Sequence, residues 1–146
     1  MSSSNSMKMN VHLNFNGNCK EAFALYGKVF GVEKPFLMTY GQAPQGAPVP
    51  ANWNDKVMHT SIPLGEGLLM GCDAPPDRSQ PMGGFQVSVE TKDQAEVQRI
   101  FDALKNGGGS VVMPLQKTFW SPLVGMLTDK FGVNWMVSAP GEQPPA

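Results

Sequence analysis

The sequence predicts an α+β fold built from two successive βαβββ modules, and three observations carry that expectation. One order of elements (strand, capped helix, glycine stop, three further strands) is written twice along the chain. A stretch dense in proline and glycine, Ala74 to Gly84, separates the two copies. Finally, 146 residues, 41% of them hydrophobic and 16% charged, suit one folded unit with a real core and not a disordered chain. The expected boundaries are a disordered leader at 1–7, a first module at 8–73, a linker at 74–83, a second module at 84–139 and a tail at 140–146.

Each element has its own signal. Val11, Leu13 and Phe15 alternate with His12, Asn14 and Asn16, the period of a half-buried strand. Asn18, with Glu21 three residues on, reads as a helix cap; Ala22, Leu25, Tyr26, Val29 and Phe30 then recur at helical spacing until Gly31 stops the helix. Residues 33–40 read as a strand. Residues 41–55, GQAPQGAPVPANWND, read as a long loop in which Trp53 is either a lid over a site or an anchor on the core. Val57 to Leu64 and Gly67 to Asp73 form a hairpin turned at Gly65-Glu66-Gly67.

The second copy repeats the scheme. Phe85, Val87 and Val89 alternate with Gln86, Ser88 and Glu90; Thr91 is the expected cap, with Gln94 three on; Val97, Ile100, Phe101 and Leu104 form an apolar face that Gly107 to Gly109 ends. Val111 to Met113 and a hairpin from Trp120 to Val137 complete it, with Asp129 placed to bond the amides that follow and Gly132 free to take positive φ.

Composition excludes several classes of function. Eleven basic and twelve acidic residues give a net charge of −1 without a block of one sign, so nothing asks for nucleic acid or an anionic membrane surface. No apolar run approaches a spanning helix and the first six residues are polar, so a cytoplasmic location is expected. Cys19 and Cys72 lie far apart in no metal-ligand spacing and read as reduced thiols. There is no GxSxG elbow, no phosphate loop, and no GxGxxG between a strand and a helix, so no resident cofactor is expected.

Each helix can cover one face of its own sheet, which leaves the opposite faces to enclose something. Alternation places Asn10, His12 and Asn14, then His59 and Ser61, then Gln86, Ser88 and Glu90 on those faces, provided no strand carries a bulge. Met58, Thr60 and Ile62 fall on the helix side by the same rule. Phe119, Trp120 and Trp135 concentrate aromatic surface that is either a core corner or a pocket wall, with Trp120 the pocket candidate.

Three segments also resemble a known family: LNFNGNCKEAFALYGKVFG (13–31), VMHTSIPLGEGLLMGCD (57–73), and a carboxy-terminal pattern of TFW (118–120), Gly125, TDKFG (128–132) and Trp135. They are similar to PhnB-like proteins of the glyoxalase, bleomycin-resistance and extradiol-dioxygenase (vicinal oxygen chelate) superfamily. The resemblance implies two βαβββ modules forming an incomplete mixed β-barrel around a cleft. It also implies a homodimer, which would cover exposed sheet edges. Metal-dependent members hold a divalent ion with His, Glu or Gln, and the matching positions here fall near Asn10, Met70 or Cys72, Gly84 and Met136, none of them a carboxylate or an imidazole. A metal-free protein is therefore expected. Such proteins are sometimes labelled ubiquinone-pathway methyltransferases, yet no glycine-rich turn is placed for adenosylmethionine.

The expected function is binding of a small molecule of unknown identity by His12, His59, Asp73, Gln86 and Trp120, with Asp73 orienting the His59 imidazole. The alternatives are an enzyme using His59 as acid or base, and a displaced divalent-metal site involving His12 and His59 with a carboxylate.

Overall fold

Alternation becomes strand, and 3.6-residue periodicity becomes helix, in both copies of the pattern. The computed structural model describes residues 7–46 and 49–141; the expected leader up to residue 6 and the tail from 142 lie outside the described residues. The chain divides into two units, Met1–Pro81 and Met82–Ala146.

The first unit runs β1 (Val11–Phe15), α1 (Cys19–Phe30), β2 (Phe36–Thr39), β3 (Val57–Leu64) and β4 (Gly67–Asp73). Its open four-stranded sheet has the order β1-β4-β3-β2. The outer β1 pairs parallel with β4, and the other pairings are antiparallel. One sheet face lies under α1, where Leu13, Phe15, Val57, Thr60, Ile62 and Leu69 are buried with Ala22, Phe23, Tyr26 and Val29. Phe23 sits at the centre of this core, edge-on to both Phe15 and Tyr26.

The second unit repeats the topology strand for strand. It runs β5 (Val87–Glu90), α2 (Gln94–Asn106), β6 (Ser110–Gln116), β7 (Val124–Thr128) and β8 (Asn134–Ser138), in the order β5-β8-β7-β6, again with the first strand parallel to the last. Val97, Ile100, Phe101 and Leu104 of α2 are buried with Val87, Leu127, Trp135 and Val137. The architecture is thus the expected pair of βαβββ modules.

Several local expectations are corrected. Asn18 makes no side-chain cap for α1, because a remote carboxylate takes that place. The cap of α2 is Asp93, which accepts the Ala95 amide, and not Thr91. Gly31 does end α1 in the left-handed conformation, at φ 74. The sheet register slips between Met38 and Thr39, opposite Val57 to His59, so Val57 and not Met58 turns into the core. β6 extends to Gln116, well past Met113, while the last hairpin begins only at Val124, which leaves Trp120 in the preceding loop. Its turn is as expected: Asp129 accepts the amides of Phe131 and Val133, and Gly132 sits at φ 89.

Candidate functional site

Period-two geometry puts His12 and Asn14 of β1, His59 and Ser61 of β3, and Met70 and Cys72 of β4 on the sheet face that α1 leaves bare. The two imidazoles meet there, stacked with ring centroids 6.1 Å apart and an interplanar angle of 27°. Phe36, 55% exposed on the outer strand β2, lies on the far side of His59 at 6.1 Å between centroids. Below the pair, His12 Nε2 is 3.4 Å from Cys72 Sγ, and that thiol donates to Asn14 Oδ1 at 3.3 Å. Burial lowers the pKa of His12 below its ordinary value, and the neighbouring His59 adds to the effect. Among the described residues His59 has no hydrogen-bond partner, so its ring nitrogens are unclaimed there.

Asp73 closes the same strand but points the other way, into the core. Its Oδ1 accepts the amides of Gly17 at 2.9 Å and Cys19 at 3.0 Å, and its Oδ2 accepts that of Val57 at 2.9 Å. The Asp73 carbonyl in turn accepts the Tyr40 hydroxyl at 2.8 Å. No hydrogen bond joins Asp73 to His59 among the described residues; the carboxylate, 1% exposed, serves the backbone of three converging segments. It caps the first helical amide of α1 in place of Asn18. Trp53 packs edge-on against Tyr40, anchoring the long loop there.

In the second unit Gln86 immediately precedes β5, and its side-chain amide donates to Met126 Sδ at 2.9 Å. Phe119 and Trp120 sit in the loop between β6 and β7 and are both exposed, Trp120 by 43%. Trp135 is the core aromatic, wholly buried and donating Nε1 to Asp129 Oδ2 at 2.9 Å. Of the three aromatics, Trp135 belongs to the core and Phe119 and Trp120 do not. Of the sequence-predicted residues, His12 and His59 are brought into contact; Gln86 and Trp120 belong to separate segments of the other unit.

Asn14, expected on that face, joins the histidines, and so do Cys72 and Phe36, which were not named for it. Cys72 was within reach of the sequence, since it stands two residues beyond Met70 on one strand face. Phe36 was not, because its proximity to His59 depends on which strands pair.

The positions that match the superfamily's metal ligands do not suit a divalent ion. Asn10 Oδ1 accepts the Leu68 amide, Met70 and Met136 offer thioethers, Gly84 offers no side chain, and Cys72, the alternative to Met70, offers a single thiol that donates to Asn14 Oδ1. Among the described residues no group of three or more His, Cys, Asp and Glu side chains is arranged to hold a metal ion.

Residues 7–138 match the family model described as 3-demethylubiquinone-9 3-methyltransferase. The chain is 31% identical to Protein YjdN of Escherichia coli strain K12, across 94% of this chain and 99% of that protein. The crystal structure of protein PA1353 from Pseudomonas aeruginosa is 38% identical, with a TM-score of 0.80 over 93% of this chain and 99% of that one. A putative 3-demethylubiquinone-9 3-methyltransferase, PhnB protein, from Bacillus cereus is 23% identical at TM-score 0.69, over 91% and 99% of the two chains. At the level of fold alone, a glyoxalase/bleomycin resistance protein/dioxygenase family enzyme from Burkholderia phytofirmans PsJN is similar at TM-score 0.63 and 10% identity, over 90% and 96%.

Proposed function

The chain belongs to the PhnB-like family whose model carries the 3-demethylubiquinone-9 3-methyltransferase description, within the glyoxalase and bleomycin-resistance superfamily, and from that premise we propose that it is a metal-free binding protein for a small amphipathic molecule. The observation that carries this reading is the stacked His12–His59 pair beside Phe36, on a sheet face that its own helix does not cover. Such a surface offers a flat, partly apolar wall together with ring nitrogens that can donate or accept a hydrogen bond. The ligand-contacting group we assign in the first module comprises His12 and His59; Gln86 and Trp120 are candidates taken by themselves in the second. Asp73 supports it by holding the end of β4.

A metal-free site is supported by the donor chemistry at the superfamily's ligand positions, and a displaced ion on His12 and His59 would lack a third ligand among the described residues. An acid or base role for His59 is the second reading, favoured by its unclaimed ring nitrogens. A homodimer is part of the proposal as well. The outer strands β2 and β6 expose Phe36, Val111 and Val112 beside unpaired backbone.

The test is a thermal-shift screen of small amphipathic compounds on protein purified without a tag and assayed for bound metals. It is followed by affinity measurements on His59→Gln and Trp120→Leu. For a hit, His59→Gln is expected to weaken binding about tenfold or more while the melting temperature holds. Unchanged affinity in both variants, or one equivalent of a tightly bound transition metal, would sink the reading. Conversion of the hit into a product would favour the enzyme.

A further inference from the structure

Where β4 runs into the 3-10 turn Pro76–Arg78, the first module holds a cavity of about 300 Å³ lined by Asn14, Tyr40, Cys72, Ala74, Pro75 and Arg78. Its chemistry is lopsided. Arg78 is its one charged wall, with no ion pair among the described residues, and no carboxylate lines the space. Ala74, Pro75 and the Tyr40 ring supply apolar surface, while the Tyr40 hydroxyl is already committed to the Asp73 carbonyl. The Asn14 amide nitrogen stands free, because only its Oδ1 is used, by the Cys72 thiol.

We propose that this cavity is a binding site for a small carboxylate, whose anionic end lies on the Arg78 guanidinium and whose carbon skeleton lies against Ala74, Pro75 and Tyr40, facing Cys72 Sγ. A guanidinium pairs with a carboxylate through two parallel hydrogen bonds, and the apolar wall gives the skeleton a place that bare phosphate could not use. The volume is at the lower end of the range for ligand pockets and suits a small organic acid. The cavity shares Asn14 and Cys72 with the histidine face, but Arg78, Ala74, Pro75 and Tyr40 do not belong to that group, so the labelling test can fail while the reading above holds.

Cys72 makes the site addressable. The other cysteine, Cys19, is fully buried, with its thiol pKa pushed far up by burial and by Asp73. Cys72 is only partly buried and sits 3.4 Å from His12 Nε2; burial and then Asp73 raise its thiol pKa, and the Arg78 charge works against that rise. Alkylation by iodoacetate then runs in balance: sulfur bonds the methylene carbon as the carbon–iodine bond breaks, iodide leaves, and the proton passes to His12 or water.

The experiment compares labelling rates of the full chain with iodoacetate and with its neutral analogue iodoacetamide, using glutathione as the unbiased thiol and Cys72→Ser to confirm the labelled position. The iodoacetate-to-iodoacetamide rate ratio is expected to exceed that of glutathione. Arg78→Gln should slow iodoacetate about fivefold more than iodoacetamide, the effect of removing one nearby charge at the protein surface; both rates fall somewhat, because that charge also favours the Cys72 thiolate. Arg78→Lys should keep part of the preference. Propionate should protect Cys72 from both reagents and inorganic phosphate at equal ionic strength should not. The proposal is overturned by a ratio equal to that of glutathione, by an Arg78→Gln effect that is equal on both reagents or absent from both, or by protection from phosphate equal to that from propionate. Arg78 is exposed, so its replacement leaves the core intact.

Discussion

Three backbone amides converge on the Asp73 carboxylate, and removing it would strand those of Cys19 and Val57 in buried positions and that of Gly17 in a half-buried one. Asp73→Ala is expected to cost about 3–5 kcal/mol by chemical denaturation, and Asp73→Asn less, because one oxygen acceptor survives. Neither variant should alter the second module's own spectroscopic signals. His12 makes a prediction of the opposite kind. Its pKa lies below 6.5 in the folded chain through burial and then through His59, so on acidification the unfolded chain takes up a proton that the folded chain refuses. The contribution is therefore fully present above pH 6.5 and is lost as pH falls from there through the folded pKa. The melting temperature should drop over that window, and His12→Gln should flatten the drop. The shared face of His12 and His59 was legible because alternation alone fixes it. The role of Asp73 was not, since its partners stand 56, 54 and 16 positions away.

Each helix approaches its sheet over a glycine, though on different strands. A Cβ on Gly71 of β4 would fall 2.5 Å from the ring of Phe23, and one on Gly125 of β7 would fall 2.7 Å from that of Phe101. Both rings are buried with little room to yield. Gly71→Ala and Gly125→Ala are each expected to destabilise by about 1–3 kcal/mol, read as a lower urea midpoint. Element types and order could be read directly from periodicity, which reports burial of one face. Element ends could not. The caps of α1 and α2 depend on which carboxylate reaches the first amides, and the bulge opposite Met58 depends on strand pairing. The length of β6 was hidden for a related reason: its residues are mostly exposed, so they show no alternation, and pairing with β7 alone defines the strand.

For the whole molecule, the proposed homodimer predicts a sedimentation mass of two chains at micromolar concentration, with dissociation on introducing charge at Phe36 or Val112. A single-chain mass for the unaltered protein would contradict it. The two modules share one topology yet differ in how their helices begin. α2 carries its cap with it, Asp93 directly ahead accepting the Ala95 amide, whereas the first amide of α1 is held by a residue 54 positions downstream. During synthesis this sets two schedules. The second helix can settle as soon as its own residues have left the ribosome, but the first stays open at its leading end until Asp73 emerges and β4 docks. Nascent chains with Asp73 still inside the ribosome should thus remain open to proteolysis around residues 17–20, and chains long enough for all of β4 to have emerged should not.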